Sequence, residues 1–200
     1  MTERARTYVI AATIGLVVTA AVVLAGFWLG GAFEPSQRTD GSFVLDEPGI
    51  FQQPADDINV DVTGERLPDV VLYDVAGDER RLSEFRGRPL VVNLWFSTCA
   101  PCKRELADFA EVHAEVGDEV AFVGVDPFDT VEAMTSFAAE RGVEYDLWRD
   151  PDFALTNALE IIGYPVTYFV SADGEIVRQT GELDADELRQ AIDELFATGF

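Results

Sequence analysis

The pattern of hydrophobic and polar positions along the chain changes character twice. Residues 8–33 include no charged side chain and are almost entirely apolar. Residues 34–66 are instead rich in Pro, Asp, Gln, Gly and Ser. Beyond them, apolar runs of strand length alternate with stretches whose apolar residues recur at helical spacing. The pattern predicts three segments: a cytoplasmic tip with a transmembrane anchor over 1–33, a linker over 34–66, and one folded domain over 67–200.

The N-terminal apolar run is long enough to cross a membrane as a helix. A bilayer core roughly 30 Å thick needs about 20 helical residues. Arg4 and Arg6 precede the run, so we expect the N-terminus to stay in the cytoplasm and the domain to be extracytoplasmic, on a single-pass protein of the cell membrane. A cleaved signal peptide is the alternative, with Gly30-Gly31-Ala32 as a poor cleavage site, although such peptides have apolar regions of only about 7–15 residues.

The third segment has the order of elements that is typical of an α/β domain. Short apolar runs predict strands, and longer stretches with one apolar face predict helices. Asp184 is placed to cap the last helix. The predicted strands are Val70–Tyr73, Leu90–Phe96, Val120–Val125, Tyr145–Trp148, Val166–Val170 and Glu175–Gln179, and the predicted helices are 101–116, 130–141, 153–159 and one following residue 184. Strands alternating with helices, then a hairpin and a final helix, indicate a mixed sheet.

Composition removes several classes of function. The 200 residues include 37 acidic and 14 basic side chains, a net charge of −23, which makes nucleic acid an improbable partner. Two cysteines and one histidine exclude a disulfide-rich scaffold, a four-cysteine zinc site and a three-histidine centre within one chain, so we expect no metal site. The acidity fits a halophilic host or a proteome poor in lysine, and it identifies no partner.

Both cysteines lie in Cys99-Ala100-Pro101-Cys102, where the longest predicted strand meets the next helix. A structural disulfide closing so short a loop would stabilise the fold by only roughly 2 kcal/mol, against about 3 for a fifteen-residue loop. A redox role has a clearer physical basis. Unpaired N–H groups and the helix dipole at the helix start favour a Cys99 thiolate, the form that attacks disulfides. Cys102, one helical turn later, is then placed to resolve the mixed disulfide.

The run from Val91 to Glu105, with the cysteine pair inside it, resembles the thioredoxin superfamily. More narrowly it is similar to the TlpA/ResA-like membrane-anchored thiol–disulfide oxidoreductases, a group that includes cytochrome c maturation thioredoxins. Leu67-Pro68-Asp69, the segment 82–87 and Gly163-Tyr164-Pro165-Val166-Thr167 match that group in order. The resemblance implies a thioredoxin-like mixed sheet with flanking helices after the transmembrane helix. It also implies a redox-active Cys99–Cys102 disulfide and no added cofactor.

The resemblance also implies roles for residues around the cysteines. Pro165 would be cis and face the pair, with an ordinary trans proline as the alternative. Tyr164 would offer main-chain groups to an extended substrate, because proline cannot donate to a sheet. The residues implied to contact substrate are Trp95, Thr98, Pro101 and Tyr164. Thr98 is a departure, because the group often has Trp immediately before the first cysteine.

Glu105 is the candidate proton-exchange group. It follows Cys102 by three positions and so lies on the same helical face. A carboxyl group partly removed from water beside a thiol has a raised pKa, which suits it to exchange a proton with Cys102. A solvated acid in the first helical turn is the alternative. His113 falls on the apolar stripe of the same helix, so we expect it to be packed rather than catalytic.

The predicted function is reduction of disulfides in partner proteins such as apocytochrome c, with electrons supplied by a donor in the membrane. A peroxiredoxin-like thiol peroxidase is one alternative, but it usually needs Thr three residues before the reactive cysteine, where this chain has Phe96. A non-catalytic copper or haem assembly factor is another, although one His and two Met leave few soft ligands. The sequence leaves the direction open, because about 30 mV in potential corresponds to only about 1.4 kcal/mol.

Overall fold

The structure, a computed structural model, describes residues 58–197. The predicted anchor over 8–33 and the predicted linker up to residue 57 lie outside the described residues. Among the helices of residues 58–197, none is both long and apolar enough to cross a membrane.

The described part of the chain forms one mixed seven-stranded sheet. Its strands are β1 (Leu72–Asp74), β2 (Glu79–Arg80), β3 (Leu90–Leu94), β4 (Ala121–Asp126), β5 (Asp146–Arg149), β6 (Val166–Val170) and β7 (Ile176–Thr180). The order across the sheet is β2-β1-β5-β4-β3-β6-β7. The three central strands β5, β4 and β3 are parallel, and the strands on both sides of them pair antiparallel.

Strands β3 and β4 form the centre because both of their faces are covered. Every residue of these two strands is buried, as expected for apolar runs in a parallel region. Asn93 is the one polar residue of β3; it pairs in register with Gly124 of β4 and with Thr167 of β6. The prediction of a mixed α/β sheet is confirmed.

Helices cover both faces of the sheet. They are α1 (Ala100–Val116), α2 (Val131–Ala139), α3 (Ala154–Ala158) and α4 (Ala185–Phe196), with a 3-10 turn at Leu82–Phe85. Buried residues of α1, α2 and α4 share one core cluster with Val91 and Trp95. The opposite cluster includes Leu155 of α3 and Leu82 of the turn. The Asp184 carboxylate accepts a hydrogen bond from Glu187 N at 2.9 Å, which confirms the predicted cap of the last helix.

The folded domain begins ahead of the boundary at Leu67 that the sequence predicts. Gly64 N donates to Ile176 O, and Ile176 N donates to Glu65 O, both at 2.8 Å. Val62 is buried in the core cluster beneath these contacts. The polar composition of this segment concealed its attachment, because main-chain hydrogen bonds to β7 leave no hydrophobic pattern.

One buried carboxylate, that of Asp150, organises the turn into α3. Its oxygens accept hydrogen bonds from Ala154 N at 2.6 Å, Leu155 N at 3.3 Å, and Thr156 N and Oγ1 at 2.9 and 2.8 Å. Asp150 therefore satisfies the donors that a helix start leaves unpaired.

We predict that Asp150→Ala lowers the free energy of unfolding by about 2–4 kcal/mol, because several buried donors lose their acceptor. The measurement is urea denaturation monitored by Trp fluorescence. The exposed neighbour substitution Asp152→Ala is the control and should change stability by less than about 0.5 kcal/mol. Equal effects of the two substitutions would contradict this role of Asp150.

Candidate active site

Cys99 and Cys102 are joined by a disulfide at the start of α1. The S–S distance is 2.04 Å and the Cα atoms are 5.3 Å apart. Cys99 is the N-cap of the helix, and Cys102 N donates to Cys99 Sγ at 3.3 Å. Cys99 is 6% exposed whereas Cys102 is fully buried. The predicted position of the Cys99 sulfur beside an otherwise unpaired helix N–H is confirmed, and Cys99 is the more exposed residue of the pair.

The segment that delivers Cys99 is held from the neighbouring strand by Asp129. Ser97 N and Ser97 Oγ donate to the two carboxylate oxygens of Asp129 at 2.6 and 3.0 Å. Asp129 N in turn donates to Asp126 Oδ1 at 2.9 Å, as does Phe128 N at 2.8 Å. These contacts fix the turn after β4 against the turn before α1. Sequence reasoning missed both Asp126 and Asp129. The signal that could have identified them is the Asp-rich turn directly after a buried strand.

Asp126 is a buried acid in this arrangement. It is fully buried at the end of β4, and its Oδ2 has no hydrogen-bond partner among the described residues. Burial, and then the adjoining Asp129 carboxyl, raise the pKa of Asp126 well above its usual range. The end of the sheet that positions the disulfide thus includes a carboxyl group that retains its proton more readily than a solvated one.

Glu105 lies in the core on α1, three residues after Cys102. Its side chain is 1% exposed, so the alternative of a solvated first-turn acid is wrong. Asn93 Nδ2 donates to Glu105 Oε1 at 2.9 Å, and Leu183 N donates to Oε2 at 3.2 Å. Removal from water raises the pKa of Glu105 to about 8, and the two hydrogen bonds only partly oppose this effect. Both protonation states of Glu105 are therefore accessible near neutral pH.

The Tyr164–Pro165 peptide bond is cis, which confirms that expectation and excludes the trans alternative. Pro165 directly precedes β6, whose Val166 pairs with Leu94 five residues before Cys99. The fold therefore brings this loop to the same end of the sheet as the disulfide. Tyr164 packs against the core cluster that includes both cysteines.

The residues predicted to contact substrate divide into two groups. Thr98 is exposed, and Pro101 and Tyr164 are partly exposed, so all three are accessible to a partner. Trp95 is fully buried, and its ring packs 5.5 Å from the ring of Phe137 in α2. The prediction that Trp95 contacts substrate is wrong, because the side chain lies in the core on the α2 side of the sheet.

An aromatic patch that sequence reasoning missed surrounds Tyr164. Phe96 lies 4.9 Å from Phe128 and 5.5 Å from Tyr164 between ring centroids, and Phe153 lies 5.5 Å from Phe128. Phe128 is 54% exposed. Phe96, Phe128 and Phe153 come from three separate turns, so no local periodicity in the sequence marks the patch. The patch gives an apolar surface to the part of the site that carries the cis-proline loop.

His113 stands apart from the disulfide, as expected of a packed residue. Its ring lies 5.3 Å from the rings of both Phe122 and Tyr145. Burial lowers the pKa of His113 below its usual value. Within residues 58–197 no group of three or more His, Cys, Asp or Glu side chains is arranged to hold a metal ion.

Known proteins are similar to most of the described part of the chain. The model of the AhpC/TSA family matches residues 63–179. Thiol-disulfide oxidoreductase ResA of Geobacillus kaustophilus is 29% identical over 137 residues, which are 66% of this chain and 77% of that protein. Residues 63–179, which the family model matches, include the cysteine pair and the cis-proline loop.

Solved structures of disulfide oxidoreductases have a fold similar to that of the described part of the chain. The structure of MTB dsbF, in mixed oxidised and reduced forms, has a TM-score of 0.58 and 26% identity, covering 64% of this chain and 95% of that one. A secreted Mycobacterium tuberculosis disulfide oxidoreductase homologous to E. coli DsbE has a TM-score of 0.57 at 24% identity, covering 64% and 96%. The latter match supports the fold alone.

The Cys99–Cys102 disulfide fits the CxxC pair of a thiol–disulfide oxidoreductase, and the chain is an enzyme of this class. It belongs to the AhpC/TSA family, as a ResA/TlpA-like member of the thioredoxin superfamily.

Proposed function

We propose that this oxidoreductase is anchored in the cell membrane by its N-terminal apolar segment and reduces disulfides of extracytoplasmic partner proteins, apocytochrome c among them. The observation that carries the proposal is the layered arrangement of an outer Cys99, an inner Cys102 and a buried Glu105. The uncharged run over 8–33 supports the anchor. The resemblance of the chain to a group that includes cytochrome c maturation thioredoxins supports the substrate.

In the proposed reaction the reduced enzyme begins with a Cys99 thiolate. That thiolate attacks a partner disulfide, a bond forms between Cys99 Sγ and one partner sulfur, and the other partner sulfur leaves and takes a proton from water. Cys102 then gives its thiol proton to the Glu105 carboxylate and attacks Cys99 Sγ. The second partner sulfur leaves, and two electrons have passed to the partner. A dithiol donor in the membrane restores the enzyme.

The start of α1 supports the first step. Cys102 N donates to Cys99 Sγ, and the helix dipole favours a negative charge there by about 0.3–2 kcal/mol. The outer position of Cys99 makes it the sulfur that a partner reaches first. Nucleophilic chemistry therefore needs no histidine at this site.

Glu105 supports the second step because Cys102 is fully buried and water has no direct access to its thiol. With a pKa of about 8, Glu105 is ionised in a useful fraction at neutral pH and binds a proton readily. The hydrogen bonds from Asn93 Nδ2 and Leu183 N hold the carboxyl in place on the face that Cys102 occupies. Glu105 is the proposed proton acceptor in resolution of the mixed disulfide.

A protein partner fits this surface better than a peroxide. Phe96 occupies the third position before Cys99, where peroxidases of the related fold usually have Thr, and its ring contacts Phe128 and Tyr164. No hydrogen bond within residues 58–197 engages the main-chain N–H or C=O of Tyr164. Free main-chain groups beside an apolar patch suit an extended polypeptide that adds to the sheet end.

We predict that a Cys102→Ser variant traps its partner. Mixed with a peptide bearing an internal CxxC disulfide, the reduced variant should accumulate a covalent adduct through Cys99, because the resolving thiol is absent. Mass spectrometry after acid quenching measures the adduct. The matched Cys99→Ser variant should form at least about tenfold less. Preferential trapping by Cys99→Ser would show that the two roles are reversed.

We predict that Glu105→Gln slows resolution of the mixed disulfide. In the wild-type protein the rate of this step should rise with pH, reach half of its maximum near pH 8 as the Glu105 carboxylate forms, and level off roughly one pH unit higher. The variant should be about a hundredfold slower at pH 7 and lose this titration, because Gln accepts no proton. Single-turnover release of the second partner thiol measures the step. Glu111→Gln, an exposed acid of α1, is the control; an unaltered pH profile in Glu105→Gln would exclude the proposed role.

A stability measurement tests the buried carboxyl independently of activity. Because the folded pKa of Glu105 is about 8 and its ordinary value is 4.5, the native oxidised protein binds more protons than the unfolded chain between these values. Stability contributed by neutral Glu105 is thus lost as pH rises from about 4.5 to about 8. The free energy of unfolding of the wild type relative to Glu105→Gln should fall by up to about 1.4 kcal/mol per pH unit. A flat difference between the two proteins would refute the raised pKa.

A further inference from the structure

Asn59 connects the first described residues to the cis-proline loop. Its side chain is 7% exposed. Asn59 Oδ1 accepts hydrogen bonds from Ile162 N and Gly163 N, both at 2.9 Å, and Asn59 Nδ2 donates to Gly163 O at 2.9 Å. One amide side chain therefore makes three hydrogen bonds to a segment 104 residues away in sequence.

These hydrogen bonds end where the exposed main chain begins. Asn59 occupies the N–H of Ile162 and both main-chain groups of Gly163, while Ile161 N donates to Thr156 O at 2.9 Å. The next residue is Tyr164, whose main-chain groups are free of hydrogen bonds within the described chain. Asn59 thus fixes the loop up to the point at which a partner would bind.

Ile58 makes a second, steric contact with the same loop. A Cβ atom placed on Gly163 would collide with the end of the Ile58 side chain, so an alanine there requires Ile58 to move. The φ of Gly163 lies outside the left-handed region, which means that space rather than backbone conformation imposes this requirement. Two neighbouring residues of the segment before the core therefore pack on the loop in different ways.

We propose that Asn59 is a positioning residue for substrate binding, which holds the Gly163–Pro165 loop in the conformation that receives an extended polypeptide. The inference rests on the proposed function, because it takes Tyr164 as a main-chain binding point for the partner. A loop ordered in advance binds a partner without the entropic cost of ordering at that moment. The predicted linker, which includes Asn59, would then contact the substrate-binding loop directly.

A positioning role and a purely structural role predict different patterns of loss. A structural residue supports the whole domain, so its removal impairs reactions with all disulfides together. A positioning residue acts on substrates that use the loop, whereas a small aromatic disulfide reaches the Cys99 sulfur without an extended main chain. The ratio between the two reactions separates the roles.

The test compares insulin, as a protein disulfide, with 5,5′-dithiobis(2-nitrobenzoate). Dithiothreitol recycles the full chain in the insulin reaction, whereas the small disulfide is mixed with the reduced full chain after dithiothreitol has been removed. For Asn59→Ala we expect KM for insulin to rise about tenfold, and the loss of kcat/KM on insulin to exceed the loss on the small disulfide by about tenfold. Asn157→Ala, an exposed asparagine of α3, is the matched control and should leave both reactions within twofold of wild type.

A compensating pair of substitutions keeps the test independent of general destabilisation. Gly163→Ala should raise KM for insulin as Asn59→Ala does, because the added Cβ collides with the side chain of Ile58, the residue next to Asn59. Adding Ile58→Ala removes the colliding atoms and should return KM to within about threefold of wild type. Restoration by a second substitution that only deletes atoms is not expected of a merely destabilised protein.

Equal losses on both disulfides, or an unchanged KM for insulin in Asn59→Ala, would overturn the positioning role while leaving the proposed function intact. Failure of the double variant to recover would also count against it. A wild-type protein that reduces the small disulfide but not insulin would instead overturn the proposed function, and the inference with it.

Discussion

The start of α1 is the constraint on which the site depends. A helix start exposes main-chain N–H groups that need an acceptor, and here the Cys99 sulfur is that acceptor. The same hydrogen bond that caps the helix therefore favours a thiolate once the disulfide opens. Its geometry depends on β3, which is buried along its whole length and delivers the cysteine, and on Asp129, which holds Ser97. Folding and reactivity thus rely on the same few contacts.

Two buried carboxyl groups flank this helix start, and neither helps the fold in its ionised form. Burial raises the pKa of both Glu105 and Asp126. A buried acid that gives up its proton loses hydration that the protein replaces only in part. Asn93 and the Leu183 N–H offset some of the cost at Glu105. An acid buried at such a cost, one helical turn from a thiol that must lose a proton, fits the proposed role of Glu105.

Sequence reasoning reached the parts of this protein that local patterns encode. The buried strands, the helix with the cysteines at its start, the cap at Asp184 and the face shared by Cys102 and Glu105 all follow from spacing over a few residues. Contacts between distant segments left no such signal: the hydrogen bonds of Asp129 and the aromatic patch depend on which turns meet at one end of the sheet. Trp95 was wrongly predicted to contact substrate, because the sequence pattern of an aromatic residue beside a motif fits both a binding surface and the core, and Trp95 lies in the core.

At the start of the domain, the composition of the sequence and the structure disagree about which residues belong to the fold. A polar, Pro- and Gly-rich stretch marks where the regular apolar pattern is absent, but a segment without that pattern still becomes part of a fold when its main chain pairs with a strand, as Glu65 and Gly64 do with Ile176. Asn59 extends this attachment to the cis-proline loop. The chain entering the domain is therefore in contact with a loop of the site before it reaches the first strand. A linker that ended in unattached residues would leave that loop to be ordered by the partner alone, which weakens binding by the entropy of ordering. With Asn59 in the proposed positioning role, the final residues of the predicted linker contribute to substrate binding.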